Sequence, residues 1–295
     1  MGDFHHISVL RDDVLALLAP RRGAFFVDGT LGGGGHAEAL LEAGVELLGV
    51  DRDPAAVAAG SARLARFGDR FRAVHAPFSR IPALVDRPVD GLLLDLGVSS
   101  PQLDDPERGF SFQHDGPLDL RMDPTSGEPA SAWLDRLTEA QIADTLYRNA
   151  EERLSRRIAR AIVAARPILR TRRLAEVVVS VVPPTGRIHP ATRTFQALRI
   201  LVNDELAELE AALATFPALL APAGRFAVIS FHSLEDRPVK ERFRALAGVG
   251  APTDLFGNPM ITPAFRLVER RARLGETDAN PRARSARLRA IERTA

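Results

Sequence analysis

The chain has no cysteine. That removes disulfide scaffolds, thiolate metal sites and cysteine nucleophiles together. It has one tryptophan and one tyrosine in 295 residues. Lysine is nearly absent: of 39 basic residues, Lys240 is the single lysine and the rest are arginine. Long apolar runs are missing too, and no stretch reaches the roughly 20 residues that a membrane helix needs. The N-terminal "MGDFHHISVLRDDVLALLAP" places acids and histidines before a short apolar run. It reads as neither a signal peptide nor a membrane span, and the cytoplasm is the expected location.

What is present is ordinary for a globular protein: 45% hydrophobic residues, 26% charged residues and a net charge of +1. The length fits one large or two small domains. The shortage of lysine has two readings. One is a composition bias of the genome, since alanine and proline are abundant as well. The other is phosphate recognition, which suits the planar guanidinium fork. Position decides between them. Residues 147–200 hold twelve arginines against Glu151, Glu152 and Glu176, a local net of +9. A general bias would not strip acids from one segment, so this segment reads as a nucleic-acid surface.

Short apolar runs recur at even intervals: "AFFVDG" (24–29), "VELLGVD" (45–51), "FRAVHAPF" (71–78) and "VDGLLLDLG" (89–97). Helical stretches such as "GHAEALLEAG" (35–44) and "PAAVAAGSARLARFG" (54–68) lie between them. Continuous apolar strands alternating with helices predict a parallel sheet buried on both faces. The rhythm stops after residue 97 and resumes at "GRFAVISFHS" (224–233), with further strand-like runs at 264–271 and 285–293. So long an interval must contain helices and an inserted domain. Thr138 and Gln141 are placed to form a capping box. Leu154, Ile158 and Ile162 predict one buried stripe on a helix over 151–165, with Arg153, Arg156, Arg157 and Arg160 off the stripe. Residues 192–216 read as one long helix. Trp133 and Tyr147 read as core residues rather than as base-stacking platforms.

The chemistry concentrates in "DGTLGGGGH" (28–36). A strand, a glycine-rich turn and a helix start form a site for a phosphate or nucleotide-like ligand. A P-loop needs a lysine that is not there. A dinucleotide fingerprint can be laid on Gly32, Gly34 and Ala37, but a glycine run satisfies many patterns. The third pattern, Asp28-x-x-x-Gly32-x-Gly34, is typical of S-adenosylmethionine-dependent methyltransferases. A carboxylate beside the loop repels a pyrophosphate but tolerates a sulfonium-bearing zwitterion, which favours this pattern. Asp51 ends the second strand, where an acid hydrogen-bonds a ribose diol. Asp95 closes the fourth. The histidines show no metal-ligand spacing, so no metal is expected. His232, in "FHSLEDR", reads equally well as a proton acceptor or as a loop buttress. "DLGVSS" stands where many amino-methyltransferases carry Asp/Asn-Pro-Pro-Tyr/Phe, so their chemistry cannot be copied over.

"DGTLGGGGH", "GVDRDP", "DGLLLDLGVSSPQLDDPERGFSF", "GPLDLRMDP", "ERLSRRIARAI", "HPATRTFQALRI", "ISFHSLEDR" and "NPRARSARLR" resemble the 16S rRNA (cytosine-1402-N4)-methyltransferase family. They occur in the family's order across nearly the whole chain; only 248–264 is shorter than in many members. The resemblance implies an α/β, class I (Rossmann-like) methyltransferase with a mostly parallel seven-stranded sheet over 1–103 and 200–295. An all-helical, substrate-recognition insert would occupy 104–199. It implies S-adenosylmethionine as cofactor, with contacts from Gly34, Gly35, His36, Asp51, Phe78, Asp95 and Gln102. It implies 16S rRNA in the small ribosomal subunit, or its precursor, as partner, and leaves monomer or homodimer open. Asp95, Ser99 and His232 are the expected acceptors at the reacting edge. Two other readings stand beside it: a nicotinamide-dependent oxidoreductase, and a ribosome-assembly protein that binds RNA without turnover.

Overall fold

A computed structural model describes residues 8–184, 189–252, 262–275 and 284–294. His5, His6, most of the short 248–264 stretch and the start of "NPRARSARLR" lie outside the described residues. The chain divides into two compact units, residues 1–97 with 208–295, and residues 98–207.

The first unit is built on one sheet. Its strands are β1 (Phe25–Asp28), β2 (Glu46–Asp51), β3 (Phe71–His75), β4 (Val89–Asp95), β5 (Leu220–Ser230), β6 (Phe265–Leu267), β7 (Arg273–Leu274) and β8 (Arg287–Arg293). The order is β3-β2-β1-β4-β5-β8-β6, with the two-residue β7 paired to β8. The first five strands run parallel, and β8 runs antiparallel to β5 and β6. The apolar runs are continuous because both faces are covered. Phe26, Leu47, Leu93 and Ile229 pack on one side with Leu17 and Leu40. Val27, Leu48, Leu92, Leu94 and Val228 pack on the other with Ile81, Leu213 and Phe243. Successive strand residues alternate between the two cores, as the pleat requires.

The second unit has its own helical core, including Leu134, Ile142, Leu146, Ile158, Ile162, Leu174, Val178 and Leu198. Its edges lie outside the 104–199 read from the sequence, because Val98, Leu103 and Val202 also pack against this core. Thr138 and Gln141 do form a capping box at the start of helix Glu139–Ala150.

Two expectations fail locally. The helix expected over 151–165 begins only at Ser155, and Leu154 is exposed. Glu151 adopts φ 51° and ends the preceding helix, so Leu154 precedes the next one and leaves its stripe to Ile158 and Ile162. The long helix over 192–216 is two helices, Thr192–Asn203 and Glu205–Thr215. Asp204 at φ 50° separates them. The buried Asn203 is the reason: its Oδ1 accepts from Met122 N at 2.7 Å and its Nδ2 donates to Leu120 O at 2.7 Å. Nδ2 also lies 2.9 Å from Arg199 O, which accepts from it.

Asn203→Ala should therefore lower stability by about 1–3 kcal/mol, the cost of leaving buried backbone groups unpaired. Urea unfolding followed at Trp133, the single tryptophan and a member of the same unit, reads this directly. An unchanged midpoint would mean that Asp204 alone sets the break.

Candidate active site

The carboxyl ends of β1, β2 and β4 lie side by side, with Asp28 and Gly49 in register and Asp28 opposite Leu93. Each of these strands ends in an aspartate. A parallel sheet thus gathers three carboxylates at one edge, the edge where ligands of such sheets bind.

The glycine loop is laced to this edge through its backbone. Gly29 N donates to Leu93 O at 2.9 Å, and Leu31 N to Val50 O at 3.0 Å. Gly32 N donates to Asp51 Oδ2 at 2.8 Å, while Asp53 N donates to Asp51 Oδ1 at 2.8 Å. Thr30 N donates to Asp28 Oδ1 at 3.1 Å, and Asp95 N donates to Thr30 Oγ1 at 2.6 Å. Gly34 takes φ 79° and precedes helix Gly35–Glu42, a turn that a side chain would strain. At Gly33 an added Cβ would meet nothing within 4 Å, so open space lies over the loop. At Gly35 it would stand 2.1 Å from Ser8 Oγ. The glycines therefore do three different things: they turn the chain, leave room for a ligand and clear Ser8.

Electrostatics set this edge apart. Asp28 is 1% exposed. Burial pushes its carboxyl up to about 6; His36 opposes the shift, and the Asp95 and Asp51 charges add to it. Burial also raises Asp51, against the two amides that favour its charged form. His36 is buried, with Nε2 3.5 Å from Asp95 Oδ2. Among the described residues, neither ring nitrogen of His36 nor Asp95 Oδ1 has a hydrogen-bond partner, although all three atoms are buried. Buried polar atoms are rarely left so; these three lie beside the glycine loop, while both ring nitrogens of His232, and Arg166 Nε and Thr194 Oγ1 in the helical unit, are in the same state.

The remaining residues named from the sequence fall as follows. Phe78 starts a short turn after β3 and reaches Gly29, where a Cβ would come within 3.3 Å of it. His232 precedes helix Ser233–Leu246 after β5, with Nε2 3.1 Å from the buried Glu235. The second oxygen of Glu235 accepts from Phe231 N at 2.8 Å. Thus Gly34, Gly35, His36, Asp51, Phe78, Asp95 and His232 share the sheet unit. Ser99 and Gln102 belong to the helical unit. They cap helix Ser100–Asp104 reciprocally: Ser99 N donates to Gln102 Oε1 at 3.0 Å and Gln102 N to Ser99 Oγ at 3.4 Å. Thr30 and Glu235 were not singled out in the sequence. Thr30 sits inside the glycine motif and Glu235 three residues after His232, which were the available signals.

A parallel run β3-β2-β1-β4-β5 continued by an antiparallel strand, with a glycine loop after β1 and acids ending β1, β2 and β4, defines a class I methyltransferase. The chain belongs to the MraW methylase family, whose model matches residues 3–294. It is 52% identical over 310 residues to the ribosomal RNA small subunit methyltransferase H of Anaeromyxobacter sp. strain K, covering 99% of each chain. It is 54% identical over 304 residues to the protein of that name from Rhodospirillum centenum, covering 98% of this chain and 92% of the relative. To that from Synechococcus elongatus it is 48% identical over 297 residues, covering 99% and 96%. S-adenosylmethionine is the cofactor of this enzyme. The edge fits it: open space over Gly33, unpartnered polar atoms on His36 and Asp95, and acidic charge that a sulfonium and an ammonium group would offset.

Asp28 gives the site a pH signature. The native state holds its proton more tightly than an unfolded aspartate titrating near 3.8. Stability therefore falls as pH rises from about 4 to about 6, and the loss persists above that range. Asp28→Asn should flatten this part of the stability profile and stabilise the protein at pH 7 by up to about 3 kcal/mol. Urea unfolding at several pH values checks it, and an unaltered slope would contradict the raised carboxyl.

Proposed function

We propose that this methyltransferase transfers a methyl group to the exocyclic N4 of cytidine 1402 in 16S ribosomal RNA, within the small subunit or its precursor. The observation that carries the proposal is the buried, unpartnered Asp95 Oδ1 at the end of β4, beside the glycine loop. The names of the relatives support the RNA, and the resemblance of the motifs supports the position. A ribosomal substrate is met in the cytoplasm, and among the described residues no helix is long and apolar enough to cross a membrane.

When bound, S-adenosylmethionine supplies an electrophilic methyl on sulfur. The protein must bind it, hold the acceptor and manage a proton. In this reading Gly34 and Gly35 admit the methionine portion, and His36 faces it. Asp51 accepts from the ribose hydroxyls with the lone pairs that its two backbone amides leave free. Phe78 packs on the adenine. The amine of cytosine is a poor nucleophile because its lone pair is delocalised into the ring. Its N–H groups need acceptors as the nitrogen becomes tetrahedral, and preorganised acceptors in a site shielded from water lower that barrier most. Asp95 Oδ1 has a free lone pair for this task, and His232, held by Glu235, is the second acceptor on a neighbouring strand end. Ser99 is the third proposed acceptor and Gln102 a further proposed cofactor contact; their mutual cap orders the turn that follows β4. The helical unit is proposed to hold the RNA, and nothing in the proposal requires a second copy of the chain.

The oxidoreductase reading fares worse on charge, because the strand edge carries Asp28 and Asp95 in addition to the ribose-type acid Asp51. Binding without turnover differs from methylation in one measurement. Small subunits are treated with enzyme and methyl-labelled cofactor, and the nucleosides are separated by mass spectrometry. Label is expected in N4-methylcytidine; label only in 5-methylcytidine or an adenosine would overturn the target, and no label at all would favour the binding protein. Asp95→Asn should lose more turnover than His232→Ala. Full activity in both variants would remove this account of the acceptors while leaving the enzyme class intact.

Asp51→Ala should weaken S-adenosylmethionine binding by about 1–3 kcal/mol, since it leaves the Gly32 and Asp53 amides unpaired as well as the ribose. Calorimetry on the folded variant reads this, and unchanged affinity would mean that the ribose lies elsewhere.

A further inference from the structure

Tyr147 was expected in the core, and it is not there. In helix Glu139–Ala150 the buried positions are Ile142, Ala143, Leu146 and Ala150. Tyr147 lies four positions after Ala143 and three before Ala150, at the edge of that stripe. It is 62% exposed. Single exposed apolar residues are common and mean little. The surroundings of this one are unusual.

Two open grooves flank it, of about 730 and 510 Å³. Both volumes fall in the range of small-ligand sites, roughly 300–1,000 Å³. Tyr147 and Arg153 line both grooves, so together they form the wall between them. Arg148, Arg156 and Arg157 line the larger groove and Arg193 the smaller. Asp144 in the larger groove and Glu151 in the smaller are the carboxylates on these walls. The left-handed Glu151 reverses the chain after the tyrosine helix and brings helix Ser155–Ala164 back beside it.

Among the described residues, no carboxylate forms an ion pair with Arg148, Arg153, Arg156, Arg157 or Arg193, whereas Arg160 reaches Glu139 at 3.6 Å. The two nearby glutamates do not neutralise them all: Glu152 is buried, and its Oε1 accepts from Leu154 N at 2.8 Å. Unpaired arginines on both sides of an exposed aromatic ring match one chemistry well. Guanidinium groups take phosphates, and a ring face takes a base. A base can lie on that face only if it is out of its own stack, so the partner is single-stranded.

We propose that Tyr147 is a stacking platform for an unpaired RNA base, with the strand's phosphates carried past it by the arginines of the two grooves. This rests on the rRNA-methyltransferase reading and deepens it: the enzyme acts on a base that must be unpaired, and this surface would hold a neighbouring unpaired stretch. An acidic protein segment would use the same arginines but has no need of the ring.

Tyr147 is the single tyrosine, so 3-fluorotyrosine labelling of the full chain gives one fluorine resonance. A single-stranded oligoribonucleotide should shift that resonance, while inorganic polyphosphate and the same sequence as a duplex should not. Tyr147→Ala should weaken oligonucleotide binding roughly 5- to 150-fold, the range of base–aromatic stacking. Its salt dependence should stay unchanged. Tyr147→Phe, which keeps the ring, should bind as the parent does. Replacing Arg153, Arg156 and Arg157 with glutamine should instead flatten the salt dependence. A resonance that polyphosphate moves as far as RNA does, or a phenylalanine variant as weak as the alanine one, would overturn the platform. These are binding measurements on oligonucleotides, so they stand apart from the methylation assay: loss of N4-methylcytidine with stacking intact would overturn the target alone.

Discussion

Asp28 carries a charge that its surroundings resist. It lies at the end of a central strand with almost no exposure, beside Asp51 and Asp95. A lone buried carboxylate is costly, and two more at the same edge raise that cost. The local structure is arranged around holding these charges. Asp28 takes the Thr30 amide, Asp51 takes the Gly32 and Asp53 amides, and the Asp95 amide is bonded to the Thr30 hydroxyl. The same bonds fix the path of the glycine loop. The loop, the three strand ends and the start of helix Gly35–Glu42 therefore stand or fall together.

The two units answer the question of the missing lysines differently. In the sheet unit many arginines are structural. Arg225 and Arg266 share Glu292, while Arg287 and Arg289 share Asp236. Arg63 pairs with Glu38 across neighbouring helices. Composition bias explains why these residues are arginine rather than lysine, since an ion pair at those places needs only a cation. In the helical unit the five arginines around Tyr147 lack carboxylate partners among the described residues. A bias in residue choice does not explain missing partners. The arginine content thus has two causes, and the pairing separates them where the count alone does not.

Much of the fold was legible because it depends on local patterns. Continuous apolar runs, one turn after each, and a glycine run before a helix are readable at short range, and the parallel sheet follows from them. What escaped depends on distant partners or on geometry at a single residue. The break at Asn203 is invisible in "ILVNDELAEL", because Leu120 and Met122, some eighty positions earlier, supply its hydrogen bonds. The exposure of Leu154 follows from one left-handed residue, Glu151. The S-x-x-Q spacing of Ser99 and Gln102, with Pro101 between them, is also the signature of a helix start, and it makes the cap seen there. Of the site, the aspartates and glycines were legible by position at strand ends. Thr30, Glu235 and the exposure of Tyr147 were not, since each is defined by what it touches or fails to touch.

The acidic edge and the choice of cofactor are linked by the same physics. An anion placed there would add its charge to three carboxylates, and burial would magnify the repulsion. A group bearing a sulfonium and an ammonium does the opposite. It offsets charge that the fold is already stabilised against, and it favours the ionised form of Asp28, whose carboxyl otherwise holds its proton up to about 6. Part of the free energy that folding loses by burying this aspartate is thereby recovered on binding. A fold that neutralised Asp28 from within, by a nearby arginine, would be more stable and would bind such a cation less well. The acids that end β1 and β4 are thus the part of the site proposed to distinguish a cationic cofactor from a dinucleotide, since the glycine loop and the acid after β2 serve both.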